Sequence, residues 1–212
     1  MAMAAAPYLL NFLSSPNETL QEHAAFALGN LAGDGASCVD LLIANGIAAP
    51  ITKLLESSRP AVAKTACFAM ANLLRGHSPS NCAILARFDV FRHLFRHLSS
   101  QVCCLMDHIF VPSHLFSSQN CLQEPEVVSE AFWVLSYFTS TNDRYSQVLL
   151  QMGIAPILLA QLTALISHGP LALSLIRTLG NLLCGPDEVL VSFLQQPHFL
   201  PTLKSCLFSE SK

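Results

Sequence analysis

A five-residue pattern recurs along the chain and constrains what it can fold into. FALGN at residues 26–30 returns as FAMAN at 68–72, WVLSY at 133–137 and RTLGN at 177–181. Counted on the fifth residue, from Asn30 to Asn72, Tyr137 and Asn181, the intervals are 42, 65 and 44 residues. A second mark keeps the same phase: Gly46 follows Asn30 by 16 residues and Gly153 follows Tyr137 by 16, in the matching stretches GIAAPI and GIAPIL. Self-similarity at about 40–47 residues marks stacked helical units, none of which can bury its apolar face alone.

Each unit reads as a short helix, a Gly or Pro break, a second helix such as IAAPITKLLESS, and a longer third helix such as PAVAKTACFAMANLLRG. Pro60 suits the opening of that third helix, because a first-turn proline forfeits no helical hydrogen bond. Ala24, Leu28 and Leu31, like Cys67, Met70 and Leu74, follow the spacing of a buried face. Phe26, Asn30 and Asp34 step by four and form a separate stripe.

A chain that is 52% hydrophobic and only 12% charged fits such broad internal contact. A net charge of −3 with eleven Lys and Arg argues against nucleic acid as a partner, since that needs a basic face. MAMAAAPYLL lacks the positive start of a signal peptide, so the eight cysteines read as reduced, mostly buried thiols of cytosol or nucleus; Cys38, Cys67, Cys82, Cys184 and Cys206 lie in or beside apolar helices. The apolar stretch 148–167 is long enough to span a bilayer, but Gly153 and Pro156 stop and restart a helix within it, so no membrane association is expected.

With these residues in view, the chain resembles the armadillo repeats of importin-α, the adaptor for proteins with nuclear localisation signals. FALGNLAGD is similar to the family's WALGNxAGD, ACFAMANLLRG to xTWxLSNLCRG, EAFWVLSYFTSTND to xCWALSYLSDGxND, and LIRTLGNLLCG to ALRxxGNIVTG, in the same order, from about Glu22 to Asp187. The resemblance implies an all-α, armadillo-type right-handed superhelical solenoid of about four full repeats plus a partial C-terminal one. The expected organisation is a single domain over 1–212, with repeats near 7–46, 47–88, 89–153, 154–196 and a partial 197–212.

In that family, Trp and Asn ladders line a concave groove, where Asn side chains bond the extended backbone of a basic peptide and Trp rings flank its lysine stems. The matching positions are Phe26 and Asn30, Phe68 and Asn72, Trp133 and Tyr137, and Arg177 and Asn181. Asp34 matches the family's lysine-binding Asp, and Glu126 and Glu130 match an acidic pair on the helix of Trp133. The resemblance therefore implies an adaptor or interaction module for lysine- and arginine-rich linear signals in nuclear protein import, in cytoplasm and nucleus, with no cofactor. The alternative is a non-transporting armadillo scaffold or truncated isoform without importin-β coupling.

The residues support a groove independently of the name. Glu126, Glu130, Trp133 and Tyr137 step by four, three and four, which puts two carboxylates and two rings on one helical face suited to an ammonium. Asn30 and Asn72 each offer a donor and an acceptor, which suits a peptide group or, equally, neighbouring backbone.

The chain departs from the family in four places. Two family Trp positions are Phe26 and Phe68, which predicts a weaker grip on lysine, since cation–π attraction is best with Trp. No basic arm precedes Pro7, which puts importin-β as a partner in doubt, and roughly half the usual repeats lack counterparts, as in a fragment or splice form. The 65-residue interval carries an insertion near 101–122, expected as a long loop. Its Cys103, Cys104, His108, His114 and Cys121 lack zinc-site spacing, and His93 and His97 read as a polar helix face, so no metal is expected. No phosphate loop, nucleophile elbow or HExxH motif is present, and no enzyme is expected.

Overall fold

The computed structural model describes residues 5–76, 78–99, 125–166 and 168–208, all in helices and short connections. The insertion near 101–122, with its cysteines and histidines, lies outside the described residues. Contacts divide the chain into two compact units, Met1–Leu94 and Phe95–Lys212.

The first unit holds α1 (Ala6–Phe12), α2 (Glu18–Gly33), α3 (Ala36–Ala44), α4 (Ala48–Leu54), α5 (Pro60–Leu74) and α6 (Pro79–Ala86), and α7 (Val90–Ser99) begins in it. Local chemistry sets the ends. The Asn17 Oδ1 accepts from the N–H groups of Thr19 at 3.0 Å and Leu20 at 3.4 Å, and Glu18 in the first turn complements the helix dipole. Pro60 takes the first turn of α5, as its sequence position predicts. Between α3 and α4 the chain turns by 91° at Gly46, whose φ of 82° lies in the left-handed region. The core is built from Leu28, Leu42, Ile47, Ile51, Leu55, Met70, Leu73 and Leu74, with α2 laid along α5 as the main packed pair.

The second unit holds α8 (Pro125–Thr141), α9 (Asp143–Gln151), α10 (Ile154–Leu165), α11 (Gly169–Leu183), α12 (Asp187–Leu194) and α13 (Phe199–Phe208). Asn142 caps α9 by accepting from the Arg144 N–H at 2.9 Å. The expected break at Gly153 is present: its φ is 80°, and α9 and α10 meet at 89°, which splits the apolar stretch 148–167. Among the described residues no single helix is long and apolar enough to cross a membrane. Phe132, Leu135, Phe138, Leu158, Leu162, Leu175, Leu182 and Phe193 form this unit's core, and α8 lies along α11 as α2 lies along α5.

Three sequence expectations change. Leu31 is only half-buried, because α1 is short and covers α2 incompletely. His97 is buried rather than part of a polar face, and His93 is half-buried with its Nδ1 at 3.4 Å from the Glu56 carboxylate. Cys67 and Cys82 are buried free thiols, whereas Cys38 is half-buried and Cys184, just past the end of α11, is exposed.

Candidate functional site

The long third helices α2, α5, α8 and α11 carry the four copies of the five-residue motif, and the two units build their faces differently. In the first unit the Phe26 ring, 53% exposed, stacks on the Phe68 ring with centroids 5.7 Å apart and planes 25° from parallel. A Cβ built on Gly29 would lie 2.9 Å from both the Phe68 ring and the Ala69 Cα, so glycine is what lets α5 come this close. The Asn72 Nδ2 donates to the Gly29 carbonyl oxygen at 3.0 Å.

Asn30 and Asp34 lie beside an open recess also lined by Ala5 and Leu9 from the α1 side and by Ala27 and Leu31 from α2. Both are exposed, and Asp34 is the C-terminal cap residue of α2, with its backbone N–H on the Leu31 carbonyl at 3.3 Å. A carboxylate at this end of a helix sits against the negative pole of the dipole, which costs about 0.3–1 kcal/mol at an exposed site. Carboxylate and dipole add their fields there, and the sum favours a cation.

In the second unit the Trp133 and Tyr137 rings stack with centroids 6.2 Å apart, and the chain supplies its own cation. The Arg177 Cζ lies 5.6 Å from the Trp133 centroid and 5.5 Å from that of Tyr137. Glu126, exposed, and Glu130, half-buried, lie along the same helix. The Asn181 Nδ2 donates to the Ser136 carbonyl oxygen at 2.8 Å and to the Thr139 Oγ1 at 3.2 Å. Two further polar bridges cross the seam: the Thr178 hydroxyl donates to the Phe132 carbonyl at 3.0 Å, and the Ser129 and Ser174 hydroxyls lie 3.2 Å apart.

Phe26 and Phe68 are thus brought together, as are Asn30 with Asp34, and Trp133 and Tyr137 with Arg177. Asn72 and Asn181 are turned toward the preceding helix, each bonding its backbone. The fourth motif position is what the repeat reading missed. It is Gly29, Ala71, Ser136 and Gly180, small in all four copies, and in two of them its carbonyl receives the next asparagine. Among the described residues no three His, Cys, Asp or Glu side chains gather in a way that could hold a metal ion.

Residues 19–73 match the model of the HEAT-like repeat family. Importin subunit alpha-1b of Oryza sativa subsp. japonica is 29% identical over 212 residues, 98% of this chain and 34% of that protein. Importin subunit alpha-9 of Arabidopsis thaliana is 24% identical, covering 99% of this chain and 37% of that protein. The chain thus spans about a third of the length of these curated relatives. Among solved structures, an engineered protein superposes with a TM-score of 0.78 at 22% identity, over 96% of this chain and 72% of the other. A designed armadillo repeat protein in complex with the peptide (KR)4 superposes with a TM-score of 0.75 at 22% identity, over 99% of this chain and 76% of the other. The chain thus has an armadillo-type all-α repeat fold, and its sequence is similar to those of the importin-α subunits.

Proposed function

We propose that the chain, acting over 1–212 as one armadillo-repeat domain, is an interaction module that holds lysine-rich linear signals extended along its third helices, and that it serves nuclear protein import between cytoplasm and nucleus. The observation that carries this reading is the recess at the C-terminal end of α2, where Asn30 and Asp34 stand exposed together. Asp34 supplies the charge for a lysine ammonium, the helix end adds to it, and the Asn30 amide offers a donor and an acceptor to the peptide backbone. The stacked Phe26 and Phe68 rings give an apolar surface for a lysine stem, with less cation–π attraction than Trp would give. The importin-α relatives and the likeness to an armadillo protein that binds a Lys-Arg peptide support the same class of ligand.

In this reading Asn72 and Asn181 keep their bonds to the neighbouring helix and offer their Oδ1 atoms to the ligand. Glu126, Glu130, Trp133 and Tyr137 receive a second cation only when Arg177 moves aside. Fluorescence anisotropy with a labelled lysine-rich peptide and its Lys→Ala control, at several salt concentrations, tests the reading. Salt-sensitive binding of the first peptide alone is expected, weakened at least tenfold by Asp34→Lys, because attraction at the pocket becomes repulsion. Equal binding of the two peptides overturns it. A pull-down with importin-β separates a transport adaptor from a scaffold that binds cargo without delivering it.

A further inference from the structure

Glu22, Phe26, Asn30 and Asp34 step by four along α2, each about 6 Å from the next along the helix axis. The two sides of Asn30 differ in kind. Toward the C-terminal end stands Asp34, a carboxylate against the negative pole of the helix. Toward the N-terminal end stands the exposed Phe26 ring, stacked on Phe68 across the seam between α2 and α5.

This seam is parallel, since Glu22, Phe26 and Gly29 meet Arg59, Phe68 and Asn72 in order, so both helices turn their positive poles to the same side of the rings. Glu22 is the one carboxylate of α2 and α5 within a turn of either ring, and Arg59 holds it. The Arg59 Nη2 lies 3.4 Å from the Glu22 Oε2, and its Nη1 donates to the Thr19 Oγ1 at 3.2 Å. Lys64, one turn before Phe68, stands on this side too. An ammonium carried across the rings therefore meets cations and a carboxylate that is already paired. The phenyl faces also attract it less than an indole would. An apolar side chain meets no such obstacle: it removes ring surface from water, and a third ring packs offset or edge-on.

We propose that the Phe26 and Phe68 platform takes a large apolar side chain, so that the first unit reads a lysine directly beside a leucine or an aromatic residue rather than beside a second lysine. This rests on Asp34 holding a lysine of an extended peptide. Successive side chains of an extended backbone point to opposite sides. With the peptide group at Asn30, a lysine turned to Asp34 sends its neighbour to the rings.

Fluorescence anisotropy at about physiological ionic strength tests this with three labelled peptides, alike except that the central lysine is flanked on both sides by Leu, by Ala or by Lys. Flanking both sides makes the result independent of the direction in which the peptide runs. The Leu-flanked peptide should bind about fivefold tighter than the Ala-flanked one, and tighter than the Lys-flanked one. Rising salt should weaken it less than the Lys-flanked peptide. Phe26→Ser, with helical circular dichroism retained, should bring the Leu-flanked peptide down to the Ala-flanked one. A Leu-flanked peptide that binds no tighter than the Ala-flanked one, or more weakly than the Lys-flanked one, overturns the proposal. So does a folded Phe26→Ser chain that keeps the preference, or full affinity after the central lysine between the leucines becomes Ala. Asp34→Lys tells two failures apart. If it weakens all three peptides while leucine brings no gain, the apolar subsite alone falls; if it weakens none, the lysine pocket falls with it.

Discussion

Gly46, Asp89 and Gly153 take the same corner in successive repeats, each just before the second helix, with φ of 82°, 55° and 80°. Two are glycine and one is not. For an L-residue this conformation costs roughly 1–2 kcal/mol, and Asp and Asn tolerate it best because their short polar side chains bond locally. A Cβ on Gly46 would meet nothing within 4 Å, so packing does not enter and the backbone alone sets the penalty of substitution. Gly46→Ala should therefore destabilise the chain by about 1–2 kcal/mol, and Gly46→Asp, the residue found at the equivalent corner, by less. Urea midpoints of the two variants check this; a larger loss for the bulkier Asp would mean that the corner is crowded. The repeat made Gly46 and Gly153 legible in the sequence. Asp89 escaped notice because its side chain hid the corner that its backbone keeps.

At the scale of helices, the long third elements and their polar stripe were readable from the motif, and so was the proline start at Pro60. The direction in which the asparagines point was not. A single sequence says that Asn72 and Asn181 recur in phase, but an amide on a seam between two helices can face a ligand or the neighbouring backbone. The interhelical distance decides, and the small residues Gly29 and Ser136 bring that backbone within reach. Arg177 shows the same limit: aligned with an aromatic position, it lies instead across the Trp133 and Tyr137 rings of the adjacent helix. Cation–π contacts of this kind are worth about 0.5–2 kcal/mol, which a competing ligand cation must displace. Arg177→Gln should raise affinity for a lysine-rich peptide about threefold to tenfold. Trp133 is the only tryptophan in the chain, so its fluorescence reports on this face directly. The variant's emission should respond to peptide where the wild type's does not, and an unresponsive variant would show that no ligand cation reaches these rings.

Across the whole molecule, composition bounded the class of fold, because low charge and high apolar content suit a chain of helices buried against one another. The division into units was not legible, since both carry the same motif and what separates them is how far contacts extend. Repeat proteins are held by terms that couple each unit mainly to its neighbour, so damage to one joint should stay close to it. Gly29→Ala puts a methyl where Phe68 and the Ala69 backbone already stand at 2.9 Å, and overpacking of this kind costs about 1–3 kcal/mol. Hydrogen exchange can locate that loss. Amides of α2 and α5 should exchange about tenfold faster or more, while those of α8 and α11, tied by the bonds of Thr178 and Asn181, keep their wild-type rates. A uniform rise through all four helices would mean that the chain opens as one cooperative body, and that the two compact units share a single unfolding transition.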